Sequence, residues 1–591
     1  MRARPLLAIP GWSCGAGVWS RLLVAMGREA VFPDFRGVRS AQGFLPRVVE
    51  CLRGDSSVII GSSMGGLLAV QAATERPESV EAVVLVGSTS RVVATDRRRG
   101  WPVRVVERMR QRLSQRTTGG ASESATSSAL SSAMVDAFRR EMFVDGEEDA
   151  AADFARDSGS SEPVDTAILL AGLDYLMATD TGPILEDLRC PVLWVHGTGD
   201  VVCPPGALER VPRGHRRVML SGAGHLPAWT RPLETASVID RFLSVSCSST
   251  AISRSGHDTL GGGRTDVGSE SGPVVLVRPD DLQRSVGDRM APGPPKGVEA
   301  IDKRLVALRF GRHAARYDAM TPVQRSMREI LLSAAVSRLE GRPVGRILEL
   351  GCGPGGLTNL LAERFPGAEI VSVELSEAMA AVARSRALPA RIVVADAEEY
   401  VLRDTASYDL VISNAAMQWF IDPEGTVGRC RERLADGGVL AIATFGAGTL
   451  WERRESFDRA DEVEGLPQRL HVLSLPSIAD WRRWLPGSTV DETEIVCSFD
   501  SVRDVLASIR GAGASLSVAD RRPVPRTVFR RMVRFYERQR WGSDGGIRSN
   551  PATRRDAGAS VQSPIPATYH VLTVVFSDDG PLQRTFAAAR P

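Results

Sequence analysis

Short apolar runs recur along the chain, each bounded by turn residues and followed by a stretch with helical spacing. Val58-Ile59-Ile60, Ala82 to Val86 and Val192 to Val195 are continuous rather than alternating. That is the pattern of strands buried on both faces of a parallel sheet. The rhythm returns later in Arg346 to Leu350, Glu369 to Val373, Ile392-Val393-Val394, Leu410-Val411-Ile412 and Val439 to Ala443. Strand–helix alternation in both halves predicts two α/β domains, each with helices covering a mostly parallel sheet. The opening segment also reads as a strand, because Pro10 and Gly11 cut its apolar stretch too short for a signal-peptide core.

The pattern fails over 244–300, where Ser, Gly, Pro and Asp dominate and only Val274 to Val277 looks strand-like. Such a segment buries too little apolar surface to offset its ordering entropy. It is expected to be a flexible linker, with ends roughly 40 Å apart as a random coil. The domain expectation is therefore 1–243, a linker at 244–300, and 301–591. Residues 114–133, rich in Ser, Thr, Ala and Gly, are expected in a mobile part of a lid, and the polar stretch 539–562 in a loop insertion.

Composition narrows this modestly. At 591 residues the chain exceeds what one core organises. With 73 basic and 71 acidic residues the net charge is +2, without the basic footprint of a wholesale nucleic-acid binder. No apolar run is long enough to span a bilayer, so no membrane partner is expected. Eight scattered cysteines include no CxxC pair, which suggests neither a zinc site nor a disulfide framework. No metal site is expected, and a reducing cytoplasm is the simplest compartment.

Gly61-Ser62-Ser63-Met64-Gly65 fits G-x-S-x-G between a strand and a helix. The glycines permit a close backbone approach, and the turn exposes the hydroxyl of Ser63. A serine hydroxyl needs a base. Asp200 follows the strand Val192 to Val195, and His225 sits further on in Gly-Ala-Gly-His-Leu-Pro. The order Ser63, Asp200, His225 suits a nucleophile, an orienting carboxylate and a general base. The amides of Trp12 and Met64 are placed to form an oxyanion hole. His196 and His215 read as structural. This half resembles the α/β-hydrolase family, and within it the pimeloyl-carrier-protein methyl ester esterases, over about 1–243. Pro10-Gly11-Trp12 with Val18-Trp19, the serine turn, and Gly172 to Leu176 carry the resemblance. It implies that the segment Val135 to Met142 lies over an acyl chain, with Phe138 in contact with substrate.

In the second half, Leu348 to Gly356 reads Leu-Glu-Leu-Gly-Cys-Gly-Pro-Gly-Gly between a strand and a helix. Gly351, Gly353 and Gly355 let the backbone approach a ligand, but the spacing is not the dinucleotide fingerprint. Glu349 and Pro354 suit a cofactor with an amino-acid tail. Glu374 ends the next strand, where an acid can accept both ribose hydroxyls. Asp396 with Ala397 is placed at an adenine edge, and Asn414 ends a fourth strand. The whole resembles class I S-adenosylmethionine-dependent methyltransferases, with a Rossmann-like fold. More narrowly it resembles the malonyl-carrier-protein methyltransferases over about 305–577. Phe310 to Tyr317, Asn414 to Trp419, Ile509 to Ala514 and Thr568-Tyr569-His570 carry that likeness. It implies S-adenosylmethionine as cofactor and Tyr317 as a residue that covers it or orients the acceptor. An arginine should clamp the malonyl carboxylate.

Together the two resemblances imply opposite activities on acyl-carrier-protein thioesters in biotin synthesis. One half would methylate the carboxylate of a malonyl thioester, and the other would hydrolyse the pimeloyl methyl ester. Masking the carboxylate has a physical rationale, since an unpaired charge is costly in an apolar channel. Arg139-Arg140 and Arg530-Arg531 are candidate docking charges for an acidic carrier. Two other readings stay open. One is a general carboxylesterase fused to a small-acid or natural-product O-methyltransferase. The other has one half as a non-catalytic carrier-binding module.

Overall fold

In the computed structural model the described residues are 6–52, 57–94, 101–114, 138–159, 165–205, 215–254, 301–339, 341–467, 473, 475–513, 524–541 and 563–577. The strands are β1 (Leu6–Ile9), β2 (Ala30–Val31), β3 (Ser57–Ser62), β4 (Val80–Val86), β5 (Val93–Ala94), β6 (Trp101–Pro102), β7 (Val192–Gly197) and β8 (Arg216–Leu220) in the first half. In the second they are β9 (Arg346–Leu350), β10 (Glu369–Glu374), β11 (Arg391–Val394), β12 (Tyr408–Asn414), β13 (Leu434–Phe445), β14 (Thr489–Phe499) and β15 (Ile565–Ser577). Apart from Val274 to Val277, every apolar run singled out above lies in one of these strands.

The N-terminal sheet runs β2-β1-β3-β4-β7-β8, all parallel. β3 and β7 are buried at every position, as strands covered on both faces by helices must be. The C-terminal sheet runs β11-β10-β9-β12-β13-β15-β14. It is parallel through β13, and β15 is antiparallel to both its neighbours. The order reverses between β9 and β12, and loops at that reversal splay apart to leave a crevice beyond the strand ends.

The two sheets are one. β8 pairs in parallel with β14, Val218 opposite Glu494 and Leu220 opposite Val496, closing a 13-stranded sheet through both halves. The Ser221 amide extends the ladder to the Val496 carbonyl at 2.8 Å. Around this seam Glu494 takes an ion pair from Arg241 at 2.6 Å and from Arg216 at 3.8 Å. Ser498 donates to Glu234 at 3.3 Å and accepts from the Trp541 indole at 3.1 Å. Pairing of this kind covers two strand edges that would otherwise present unpaired amides and carbonyls.

The helix Pro232–Arg254 runs on past the expected boundary at 243. The rest of the expected linker, 255–300 with its Val274 to Val277 run, lies outside the described residues. So do 115–133 of the expected lid stretch, 135–137 of the segment expected over an acyl chain, and 542–562 of the expected insertion. The first residues of that insertion are anchored: Trp541 is buried, and Arg540 donates to the Ser563 carbonyl at 2.6 Å.

Candidate active sites

Ser63 sits between β3 and the helix Met64–Glu75 with φ of +50°, a left-handed value that a side chain adopts only under constraint. The constraint is local crowding. A Cβ on Gly61 would lie 2.3 Å from the Gly65 carbonyl, and one on Gly65 would lie 2.3 Å from the Ile9 carbonyl. The Ser88 hydroxyl pins the turn through the Ser63 carbonyl at 2.8 Å.

Asp200 lies just beyond β7, His225 just beyond β8 and Ser63 just beyond β3, so the parallel order brings all three to the same end of the sheet. His225 Nδ1 meets Asp200 Oδ2 at 2.8 Å. The amides of Val202 and Cys203 donate to Asp200 Oδ1 at 2.9 and 2.8 Å. Ser63, Asp200 and His225 are all buried. Burial raises the Asp200 pKa, but the charges and hydrogen bonds of His225 and His196 outweigh it and hold the carboxyl far below the carboxylate range. His225 Nε2 is buried with no hydrogen-bond partner, an acceptor available to a hydroxyl proton. Cys203 lies beside this pair, within 4.8 Å in ligand-type atoms. Burial and the Asp200 charge push its thiol well up, so it stays protonated and is a poor metal ligand.

Trp12 follows Gly11, where a Cβ would touch Ser63 Cβ at 3.2 Å, so this loop lies directly against the serine turn. The Trp12 indole donates to the Leu169 carbonyl at 2.9 Å, which fixes the loop. Trp12, Trp101 and Phe138 form one aromatic cluster, with Phe138 centroids 5.2 Å from Trp12 and 4.6 Å from Trp101. Of the two lid arginines, Arg139 is turned inward and donates to the Ser13 carbonyl at 2.9 Å, while Arg140 is exposed. Arg530 is exposed, and Arg531 pairs with Glu464.

In the C-terminal half a pocket opens at the ends of β9, β10 and β12. Glu349, Gly351, Gly353, Glu374, Asp396, Ala397, Asn414 and Tyr317 all line it. Gly351, Gly353 and Gly355 have φ of +75°, +56° and +88°, a loop that only glycine adopts freely. No atom lies within 4 Å of where a Gly353 Cβ would stand, so the loop presents bare backbone to the cavity. Glu349 accepts from Thr358 and Ser372 at 2.6 and 2.7 Å and braces the loop from beneath. Burial pushes its carboxyl up to about 7. Glu374 is raised too, chiefly by burial, and accepts from the amides of Gly353 and Ser376 at 2.9 and 2.8 Å. Asp396 caps the helix Ala397–Arg403 and takes an ion pair from Lys303 at 2.6 Å. Tyr317 packs 6.1 Å from Phe310, which in turn meets Trp419 at 5.6 Å. Burial first, then the charges of Glu374 and Asp318, push the Tyr317 phenol well up, so it keeps its proton at neutral pH.

These features fit S-adenosylmethionine. The glycine loop leaves backbone bare, the acids Glu349, Glu374 and Asp396 line the pocket, and two of its lining residues, Asn414 and Arg328, each carry a buried polar atom without a partner. His196, which reads as structural, is buried with its Nε2 2.6 Å from the Cys203 carbonyl and 3.1 Å from Asp200 Oδ2. Sequence reasoning missed two residues. Lys303 lies 93 residues from its partner Asp396, and no local signal joins them. Arg328 stands one helical turn beyond Gln324, and both line the pocket. Their i, i+4 spacing was the available clue.

Residues 6–238 match the alpha/beta hydrolase family, and 348–442 match a methyltransferase domain. The chain thus joins a hydrolase-fold domain to a methyltransferase-fold domain. The malonyl-(acyl-carrier protein) O-methyltransferase of Bacillus cytotoxicus is 35% identical over 248 residues, covering 40% of this chain and 85% of that protein. That of Geobacter sulfurreducens is 36% identical over 259 residues, 42% of this chain and 94% of that protein. Through its C-terminal half the chain belongs to this methyltransferase family. Among solved structures, a thermophilic esterase from Thermogutta terrifontis has a TM-score of 0.33 at 17% identity, covering 41% of this chain and 90% of its own. A bromoperoxidase from Bacillus anthracis has a TM-score of 0.35 at 17% identity, covering 41% and 92%.

Proposed function

We propose that this chain is a bifunctional enzyme of pimeloyl-precursor synthesis for biotin. Its C-terminal domain methylates the free carboxylate of malonyl-acyl-carrier protein, and its N-terminal domain hydrolyses the methyl ester of pimeloyl-acyl-carrier protein. The observation that carries the reading is the coexistence, on one continuous sheet, of the Ser63–Asp200–His225 arrangement and a glycine-loop pocket in a chain of the malonyl-carrier methyltransferase family.

In the esterase step Ser63 Oγ attacks the ester carbonyl carbon, and His225 Nε2 takes the hydroxyl proton. Asp200 stays anionic and steadies the imidazolium. The amides of Trp12 and Met64 hold the oxyanion. The tetrahedral carbon then expels methoxide, which takes the proton from His225 and leaves as methanol. Water, deprotonated by His225, cleaves the acyl-serine and returns the free carboxylic acid and Ser63. Phe138, with Trp12 and Trp101, offers an apolar wall for an acyl chain.

S-adenosylmethionine supplies an electrophilic methyl when bound. The malonyl carboxylate is already anionic, so the domain needs no strong base, and Tyr317 as a protonated phenol orients an oxygen rather than removing a proton. The glycine loop and Glu374 position the ligand. Phe310, Tyr317 and Trp419 exclude water. Arg140 and Arg530, both exposed, suit an acidic carrier surface.

Mass spectrometry of two incubations tests the assignment. Malonyl-carrier protein with S-adenosylmethionine should gain one methyl, and pimeloyl-carrier-protein methyl ester should lose one. Ser63→Ala should abolish the loss, by about 10⁶-fold in kcat, and leave the gain unchanged. Activity on free small acids and esters with none on either carrier-linked substrate would refute the pathway assignment.

A further inference from the structure

The backbone of His225 is held at two points. A Cβ on Gly87 would lie 2.2 Å from the His225 carbonyl oxygen, so β4 ends flush against the base. The second hold is the stretch Met142 to Glu147, which follows Phe138 in the lid segment. The His225 amide donates to the Met142 carbonyl at 2.7 Å. A Cβ on Gly224 would stand 2.5 Å from that carbonyl oxygen and 2.9 Å from Glu147 Oε2. A Cβ on Gly199, the residue before Asp200, would stand 2.7 Å from Val144 Cγ1. One short segment therefore touches the loops of both the base and its carboxylate partner.

Within this segment Glu147 is the group that packing does not explain. It is buried, and it lies outside the triad. It stands immediately before the helix Glu148–Gly159, yet its oxygens serve amides elsewhere. Oε2 accepts from Val144 at 3.2 Å and Oε1 from Gly224 at 3.4 Å. Arg231 approaches to 4.0 Å and also donates to the carbonyls of Thr230 and Gly222. These contacts are long. A buried carboxylate so loosely compensated costs stability, and an apolar side chain of similar size would fill the space at less cost. Neighbouring rings already pack this corner: Phe143 meets Phe154 at 5.6 Å, and Phe154 meets Trp229 at 5.2 Å. What the carboxylate adds is a bridge between the lid backbone at Val144 and the residue next to the base.

We propose that Glu147 is a positioning residue for ester hydrolysis. By tying the Gly224 amide to the lid segment, it sets the backbone of His225 so that Nε2 meets the Ser63 hydroxyl. The proposal rests on the triad reading above. Glu147 acts through Gly224 and touches no substrate. A general base works only within hydrogen-bond reach of the proton it takes, and a misplacement of about 1 Å costs roughly 100-fold.

Steady-state hydrolysis of p-nitrophenyl butyrate by the full chain, Glu147→Ala and Glu147→Gln gives the test, with thermal melts to report folding. Glu147→Ala should lower kcat about 10- to 100-fold and leave KM within about twofold, as lost alignment does and lost binding does not. Glu147→Gln keeps the shape and one carbonyl acceptor, so it should recover part of the loss. A raised KM at unchanged kcat would overturn the proposal and make Glu147 an anchor of the lid. If Glu147→Ala does not fold, Glu147→Gln decides alone: a lower kcat at constant KM supports the proposal, and an unchanged kcat overturns it. Failure of the unaltered chain to cleave the ester, or equal cleavage by Ser63→Ala, would instead overturn the triad reading, and this proposal with it.

Discussion

The two halves use similar sheets to build opposite kinds of site. In the N-terminal half the polar groups satisfy one another. Asp200 is held by His225, His196 and two backbone amides, and the atoms left over are His196 Nδ1 and His225 Nε2, the latter the one a serine proton needs. In the C-terminal half several residues that line the pocket keep a buried polar atom without a partner: Arg328 Nε, Asn414 Oδ1 and the Trp419 indole. A site that carries its own nucleophile pre-pairs its charges, because an uncompensated buried charge would be costly. A site built for a diffusible cofactor leaves gaps shaped like that cofactor.

The sharpest way to break the comparison is Asp200→Asn. Loss of the anion should cut ester hydrolysis by about 10⁴ in kcat through the wrong imidazole tautomer, as in related triads. Methyl transfer measured on the same preparation should be unchanged. A loss in both would mean that the halves are one catalytic unit.

A smaller effect concerns Glu349. Burial lifts its carboxyl to about 7 from an ordinary value of 4.5. The folded chain therefore binds a proton that the unfolded chain releases within that window. Its contribution is fully present below about 4.5 and declines as pH rises toward 7. Thermal melts between pH 5 and 8 should show Glu349→Gln losing less stability with rising pH than the unaltered chain. An identical slope for the two would remove Glu349 as the source.

The smallest effect concerns the seam. Glu494→Ala removes both ion pairs to the N-terminal half. Since the arginines are partly exposed, the cost should be about 0.5–1 kcal/mol, screened by salt. Denaturant unfolding at low and high salt would measure it. A cost that salt does not reduce would point to packing at the β8–β14 join rather than charge.

Much of this was legible along the chain. The fully apolar runs announced β3, β4 and β7, since strands covered on both faces tolerate nothing else. The serine turn and glycine loop were legible because their backbones demand particular residues at fixed spacing. β14 was not legible. Thr489 to Phe499 mixes acids, threonines and apolar residues, as a strand with one polar face does, and its periodicity is weak. Lys303 and Arg328 were missed because an ion pair or an orphaned nitrogen has no signature in one dimension.

The sequence by itself determined the apolar strands of both sheets, the two folds and the strand-end positions of the chemical residues, because local backbone demands and burial patterns are written residue by residue. Only the tertiary structure decided the partners: His196 on Asp200, Lys303 on Asp396, two arginines on Asp318, and β8 laid along β14. Edge pairing runs through backbone amides and carbonyls that every residue but proline carries. The join of the two halves into one sheet is therefore set by which edges meet in space.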